Sequence, residues 1–230
     1  MANRNLELLA RVALLLRPLL GDLVFVGGCT TALLITDKAA AEVRPTYDVD
    51  SIAEITSYAE YTAFAERLLQ LDFTADQSEG APICRWSHGE IRLDVMPTDE
   101  RILGFSNRWY KPAMATAQTV QLANDLIIRA VTAPLFLGTK LEAFKGRGKN
   151  DYFASHDLED VIAVMDGRPS LLSEVQHAPK ELQVYLAVEF HKLIGNPDFM
   201  DALPGYLLPD PVSQARLGSL LKNLRSMASL

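Results

Sequence analysis

The chain has 230 residues, enough for one large domain or two small ones with a sizeable core. Its apolar fraction of 49% and charged fraction of 22% are ordinary for a globular protein. The formal net charge of −7 excludes a protein that grips nucleic acid with its whole surface, so any RNA contact has to be local.

The two cysteines, Cys29 and Cys84, are too few for a disulfide framework or a cysteine-based metal site. They suit a reducing compartment, and we expect a cytoplasmic protein. Residues 6–20 are apolar but interrupted by charges, and their apolar positions recur at a helical period, which predicts an amphipathic helix rather than a signal peptide. No apolar run is long enough to span a bilayer, so no membrane partner is expected.

The first half of the chain is predicted to mix strands and helices. In chain order we expect a helix over 4–17, a strand over 23–26, a helix over 30–35, a strand holding Asp48 and Asp50, a helix over 57–71, and short strands over 73–76, 82–86 and 90–96. His88 and Gly89 are typical of a tight turn between the last two strands. Residues 118–129 are expected to hold one or two further strands.

The pattern changes near Thr132, after which it is helical. Pro134 is expected to open a helix through Lys145, and a second helix is expected over 156–165. The sequence therefore predicts an α/β (α+β) domain over residues 1–130 and an all-helical C-terminal domain over 131–230.

Gly27 and Gly28 lie between a predicted strand and a predicted helix. Such a turn lets backbone N–H groups approach a phosphate closely, and the helix N-terminus adds a favourable potential. With the Thr30 hydroxyl nearby, the pattern indicates a nucleotide-phosphate site at Gly27, Gly28 and Thr30. The alternative is a turn in which the glycines serve packing alone.

Asp48 and Asp50 share one face of their strand, and Asp94 alternates with the apolar residues of the strand over 91–96. Three carboxylates on neighbouring strands repel one another and need a cation. Two Mg²⁺ ions carrying a nucleoside triphosphate fit that need, with Asp48, Asp50 and Asp94 as metal ligands and catalytic residues. In this interpretation Asp94 completes the shell of the catalytic metal and helps to deprotonate the acceptor.

An Asp-x-Asp pair has two other interpretations. It is found at solvated strand ends, and it is the metal clasp of glycosyltransferases. A glycosyltransferase would need strands and helices alternating around the pair, which this sequence does not show.

Four short motifs, in order, resemble a known family. Gly-Gly, Asp-x-Asp and a later Asp resemble the nucleotidyltransferase superfamily of DNA polymerase β, and Arg44-x-Thr46-x-Asp48-x-Asp50 is similar to the AbiEii-type toxins. Residues 140–147 (KLEAFKGR) are similar to that group's Lys-Leu-x-Ala helix with a following Arg, and residues 157–161 (DLEDV) to its Asp-Leu-x-Asp motif. The resemblance covers residues 23–165. It departs at Cys29, where the superfamily has Ser, and in the longer gap between Gly28 and Asp48.

The resemblance implies a nucleotidyltransferase-type mixed sheet with flanking helices, and a helical domain that closes a nucleotide cleft. It implies that Lys140 reaches the triphosphate, with Asp157 orienting Lys140 or the nucleotide and Asp160 structural. The residues by themselves allow Lys140 to extend to solvent and either aspartate to serve as a first-turn helix cap. The basic stretch of Lys140, Lys145, Arg147 and Lys149 suits RNA, triphosphate or a solvated helix end.

The expected function is Mg²⁺-dependent transfer of a nucleoside monophosphate to a hydroxyl. The resemblance further implies the toxin of a bacterial toxin–antitoxin pair, with RNA or protein as acceptor and an antitoxin protein as partner. Two alternatives remain open: a small-molecule, antibiotic-type nucleotidyltransferase, and a catalytically inactive nucleotide-binding module.

Overall fold

A computed structural model describes residues 3–123 and 125–230. The chain divides into two compact units. The first unit comprises the residues up to Thr30 together with Arg44–Thr132, and the second comprises Thr31–Val43 together with Ala133–Leu230.

The first unit is built on a mixed sheet, as predicted. Its strands among the described residues are β1 (Leu23–Val26), β2 (Asp48–Ala53), β3 (Thr74–Ala75), β4 (Arg85–His88), β5 (Ile91–Pro97), β6 (Gln118–Ala123) and β7 (Leu126–Ala130). They are ordered β3-β4-β5-β2-β1-β7-β6. The pairs β2–β5 and β1–β7 are parallel, and the other neighbouring pairs are antiparallel. The stretch over 118–129 thus forms two strands, and Asn124 lies outside the described residues.

Strand β1 lies near the centre of this sheet. Its sequence, Leu-Val-Phe-Val, is buried at every position, which is typical of a strand covered on both faces. The helices of this unit are α1 (Arg4–Leu15), α3 (Tyr58–Leu69), α4 (Glu100–Leu103) and α5 (Tyr110–Ala115). Helix α1 begins after Asn3, whose side chain caps it, and it buries Leu9, Val12 and Ala13.

The described residues of the second unit form helices and no strand, which agrees with the predicted helical C-terminal half. These helices are α2 (Thr31–Leu34), α6 (Ala133–Arg147), α7 (His156–Gly167), α8 (Leu171–Gln176), α9 (Lys180–Ile194), α10 (Pro197–Ala202), α11 (Pro211–Ala215) and α12 (Leu217–Met227). None of the described helices of the chain has the length and apolarity needed to cross a membrane.

Residues 31–43 group with the helical unit, although the sequence analysis assigned them to the first domain. The backbone amides of Thr36 and Asp37 both donate to the Gly167 carbonyl at the end of α7. Arg216 donates to the carboxylates of Asp37 and Asp166, at 2.7 and 2.8 Å. These long-range bonds attach the segment to α7 and to Arg216, which lies between α11 and α12. The local sequence pattern does not predict them.

Candidate active site

The three aspartates lie on one face of two adjacent strands. Asp50 on β2 and Asp94 on β5 are direct partners in the parallel register, and Asp48 lies two residues before Asp50. Since side chains two residues apart on a strand point the same way, all three carboxylates project from the same face of the sheet. Asp94 is buried, and Asp48 and Asp50 are partly exposed.

Gly27 leaves room for the Asp50 carboxylate. It follows β1 directly and has a φ of +70°, in the left-handed region that glycine tolerates best. A Cβ atom at this position would overlap with the carboxylate of Asp50. The first glycine of the pair is therefore required both by the turn and by the acidic site.

The residues after Gly27 close the turn among themselves. Thr30 is fully buried, and its hydroxyl donates to the Gly27 carbonyl at 2.9 Å. The thiol of Cys29 donates to the Val26 carbonyl at 3.2 Å. The proton of the Thr30 hydroxyl is thus used inside the turn, and the assignment of Gly27, Gly28 and Thr30 to a phosphate stays a prediction.

Arg85 is the site residue that the sequence analysis missed. It stands opposite Asp94 in the antiparallel register of β4 and β5. Its Nε donates to Asp94 Oδ1 at 2.8 Å, and its Nη2 donates to Asp94 Oδ2 at 2.8 Å and to Asp48 Oδ2 at 2.9 Å. The hydrogen bonds to Asp94, against the effect of burial, raise the pKa of the guanidinium, so it stays charged.

A sequence signal for Arg85 did exist. A two-residue hairpin loop at Gly89 and Glu90 pairs His88 with Ile91, and counting back along both strands pairs Arg85 with Asp94. The predicted turn at His88 and Gly89 is displaced by one residue from this loop. A displacement of one residue changes which side chains face each other across a hairpin.

The donor set fits a hard divalent cation, because Mg²⁺ binds a few carboxylate oxygens together with phosphate oxygens. In this structure two of the carboxylates are arranged around an arginine side chain. Among the described residues no group of three Asp, Glu, His or Cys side chains is placed to hold a metal ion. The cation on Asp48 and Asp94 is the guanidinium of Arg85. The metal-binding role of the aspartates therefore stays a prediction.

Lys140 is buried in the second unit, so it does not extend to solvent. Its Nζ lies 2.7 Å from Asp160 Oδ2 and 3.2 Å from Asp157 Oδ1. Arg147 donates to both carboxylate oxygens of Asp157, at 2.9 and 3.0 Å. Burial works to raise the pKa of Asp157, but the hydrogen bond from Arg147 and the charge of Lys140 outweigh it and hold that pKa below its usual value.

The basic stretch at the end of α6 is engaged by acidic side chains of its own unit. Lys145 lies 3.0 Å from Glu142 and 3.4 Å from Glu189, and Arg147 is held by Asp157. Lys149, just beyond the helix, is exposed. Three of the four cations are thus paired, and the stretch is not a bare basic patch.

Comparisons with known proteins give a fold and no family. No protein-family model matches the chain, and no curated protein matches it. A solved structure described as an antigenic nucleotidyltransferase-like protein from Paracoccidioides brasiliensis is similar, with a TM-score of 0.52 and 21% identity, over 87% of this chain and 92% of that chain. JHP933 from Helicobacter pylori matches with a TM-score of 0.44 and 11% identity, over 97% of this chain and 92% of that one. The similarity to the Paracoccidioides brasiliensis structure shows that the chain has the fold of a nucleotidyltransferase-like protein.

Proposed function

We propose that this chain is a metal-dependent nucleotidyltransferase. An acceptor hydroxyl attacks the α-phosphorus of a nucleoside triphosphate, the new O–P bond forms, and the bond to pyrophosphate breaks. The observation that carries the proposal is the position of Asp48, Asp50 and Asp94 on one face of adjacent strands, in a nucleotidyltransferase-like fold.

Asp48, Asp50 and Asp94 would hold two Mg²⁺ ions. When bound, such ions neutralise phosphate charge and lower the pKa of an acceptor hydroxyl. Asp94, the most buried of the three, would complete the shell of the catalytic metal ion and help to deprotonate the acceptor. Gly27 keeps the space that the Asp50 carboxylate occupies. Gly27 and Gly28 would offer backbone N–H groups to the phosphates.

The finer proposal is that the enzyme is the toxin of a bacterial toxin–antitoxin pair. It rests on the AbiEii-type order of motifs, which ends in the Lys140 helix and the Asp157 motif. Lys140 and Asp157 would bind the nucleotide, and their buried contact supports treating them as a fixed pair. The acceptor would be RNA or protein, and an antitoxin protein would be the partner.

A small-molecule acceptor is the second candidate. The ion pairs of Lys145 and Arg147 favour it, because cations already held by carboxylates contribute less to gripping an RNA backbone. The catalytic chemistry of the aspartates would be unchanged in this case.

Label transfer tests both candidates. The purified protein is incubated with Mg²⁺, a cell extract and each α-labelled nucleoside triphosphate in turn. Asp50→Asn is the test variant, and Asp125→Asn is the matched control. Asp125 is 75% exposed and bonded to Arg17 on the surface, where an ion pair contributes little.

We expect label on a macromolecule with the wild type and the Asp125 variant. With Asp50→Asn we expect a loss of at least about a hundredfold, since a ligand of the proposed metal ions is gone. Label in the low-mass fraction would select the small-molecule candidate. Nucleotide binding with no transfer to any fraction would contradict the proposed enzymatic activity. It would favour a catalytically inactive nucleotide-binding module.

A further inference from the structure

Arg85 is positioned to occupy the acidic site by itself. It lies on β4, directly across from Asp94, and therefore on the face that carries the three aspartates. Its side chain is only 15% exposed, and that of Asp94 only 9%. A long cationic side chain is held this far out of water only where its charge is matched.

The contact with Asp94 is a two-point one. Nε and Nη2 each bond a different oxygen of the Asp94 carboxylate, and Nη2 also reaches Asp48. This paired geometry is the strong form of an arginine–carboxylate contact, and it fixes the orientation of the carboxylate. Both oxygens of Asp94 are thus committed to the guanidinium.

A divalent cation would need the same oxygens. Mg²⁺ demands close, well-directed carboxylate oxygens, and its charge repels a guanidinium bound to the same group. Arg85 cannot lose its charge to relieve that repulsion, because arginine does not deprotonate in proteins. The guanidinium and a divalent metal ion therefore compete for the Asp94 carboxylate.

We propose that Arg85 is a built-in counter-cation that competes with the divalent metal for Asp94 and Asp48. This inference rests on the proposed metal site. In the metal-free protein the guanidinium offsets part of the charge of the two carboxylates and stabilises the strands that carry them. It lowers the affinity of the site for a divalent metal ion.

The test compares Mn²⁺ binding in Arg85→Gln and in Arg92→Gln, without nucleotide. Arg92 is a matched control, because it is an exposed arginine on the same face of β5 that forms no ion pair with the three aspartates in the described structure. Free Mn²⁺ is measured by electron paramagnetic resonance during titration. Thermal melting is recorded in EDTA and in saturating Mn²⁺.

We expect Arg85→Gln to bind Mn²⁺ about tenfold tighter than the wild type, because the competing charge is gone. It should melt below the wild type in EDTA and recover in Mn²⁺. Arg92→Gln should change the Mn²⁺ affinity by no more than about twofold, because it removes one exposed charge whose effect is screened by solvent. Arg85→Lys keeps a charge but not the two-point geometry, so its Mn²⁺ affinity should lie between those of the wild type and Arg85→Gln. It also provides a folded variant if the Gln protein is unstable.

Two results would overturn the inference, and only the second would also reject the proposed metal site. Equal or weaker Mn²⁺ binding by Arg85→Gln, with binding abolished by Asp50→Asn, would reject the competition and keep the metal site. Absence of Mn²⁺ binding in all folded variants would reject the competition and also the metal part of the proposed function.

Discussion

Gly27 is the residue at which backbone geometry and the acidic site depend on each other. Its φ is positive, and a Cβ would collide with Asp50. We expect Gly27→Ala to lower the free energy of unfolding by about 1–3 kcal/mol, because it combines backbone strain with a displaced carboxylate. We also expect it to abolish nucleotidyl transfer, since Asp50 would be moved.

The control for this prediction is Gly21→Ala. Gly21 has open space around its Cα, so an added methyl group meets nothing. Chemical denaturation and label transfer measure the two effects. A Gly27→Ala protein as stable and active as Gly21→Ala would show that Asp50 does not depend on the glycine.

Lys140 is a buried cation shared by two buried carboxylates. Replacing it with Met leaves Asp157 and Asp160 without this partner, and we expect a loss of about 3–5 kcal/mol in the free energy of unfolding. Lys192→Met is the control, because Lys192 is 62% exposed and its pair with Glu189 is worth at most about 1 kcal/mol.

A rescue variant separates charge from packing at this position. Adding Asp160→Asn to Lys140→Met removes the carboxylate charge that lies 2.7 Å from Lys140 Nζ in the wild type, and should recover part of the stability. Denaturant midpoints measure each protein. If Lys140→Met were no less stable than Lys192→Met, the buried cluster would not have the role described.

The sequence predicted the common face of the aspartates better than the contacts that they make. Alternation within one strand places Asp48 and Asp50 on one face without knowledge of any other strand. The contact of Arg85 with Asp94 depends instead on the register between two strands, which a one-residue change in the hairpin turn alters. Lys140 shows the same limit, since its burial depends on carboxylates from α7.

At the scale of elements, helix α1 holds the start of strand β2. Asn5 of α1 is 1% exposed. Its Nδ2 donates to the Arg44 carbonyl at 2.9 Å, and its Oδ1 accepts from the Thr46 amide at 2.9 Å. One amide side chain thus fixes both ends of the Arg44-Pro45-Thr46 segment, which leads directly to Asp48.

We expect Asn5→Ala to increase hydrogen exchange at the Thr46 amide and to reduce transfer activity, because the start of β2 loses its anchor. The loss of two buried hydrogen bonds should lower the free energy of unfolding by about 1–3 kcal/mol. Asn3→Ala is the control, since it removes the cap of the same helix without touching residues 44–46. Equal exchange at Thr46 in both variants would contradict the anchoring role.

Elements with strong local patterns were predicted well, whereas the unit to which residues 31–43 belong was not. Strand β1 matches the predicted bounds of 23–26, because a buried central strand reads as an unbroken apolar run. Residues 31–43 give no such signal. Their place in the helical unit depends on Gly167 and Arg216, far along the chain.

At the scale of the whole molecule, both cysteines report on opening of the first unit. Cys29 and Cys84 are free and buried, and burial raises the pKa of the Cys84 thiol to about 12. We expect neither thiol to react with a disulfide reagent in the native protein at pH 8, and both to react once denaturant unfolds it. Reaction of native Cys84 as fast as in the unfolded chain would show that β4 and its surroundings open readily.

The proposed activity of Asp48, Asp50 and Asp94 is the transfer of a nucleoside monophosphate. The most direct measurement follows one triphosphate labelled at the α-phosphorus and, in parallel, at the γ-phosphorus, with the wild type and with Asp50→Asn. We expect the α-label to join the acceptor, the γ-label to leave as pyrophosphate, and both events to be lost in the variant. Transfer of the γ-label to the acceptor, or α-label transfer that persists in Asp50→Asn, would contradict it.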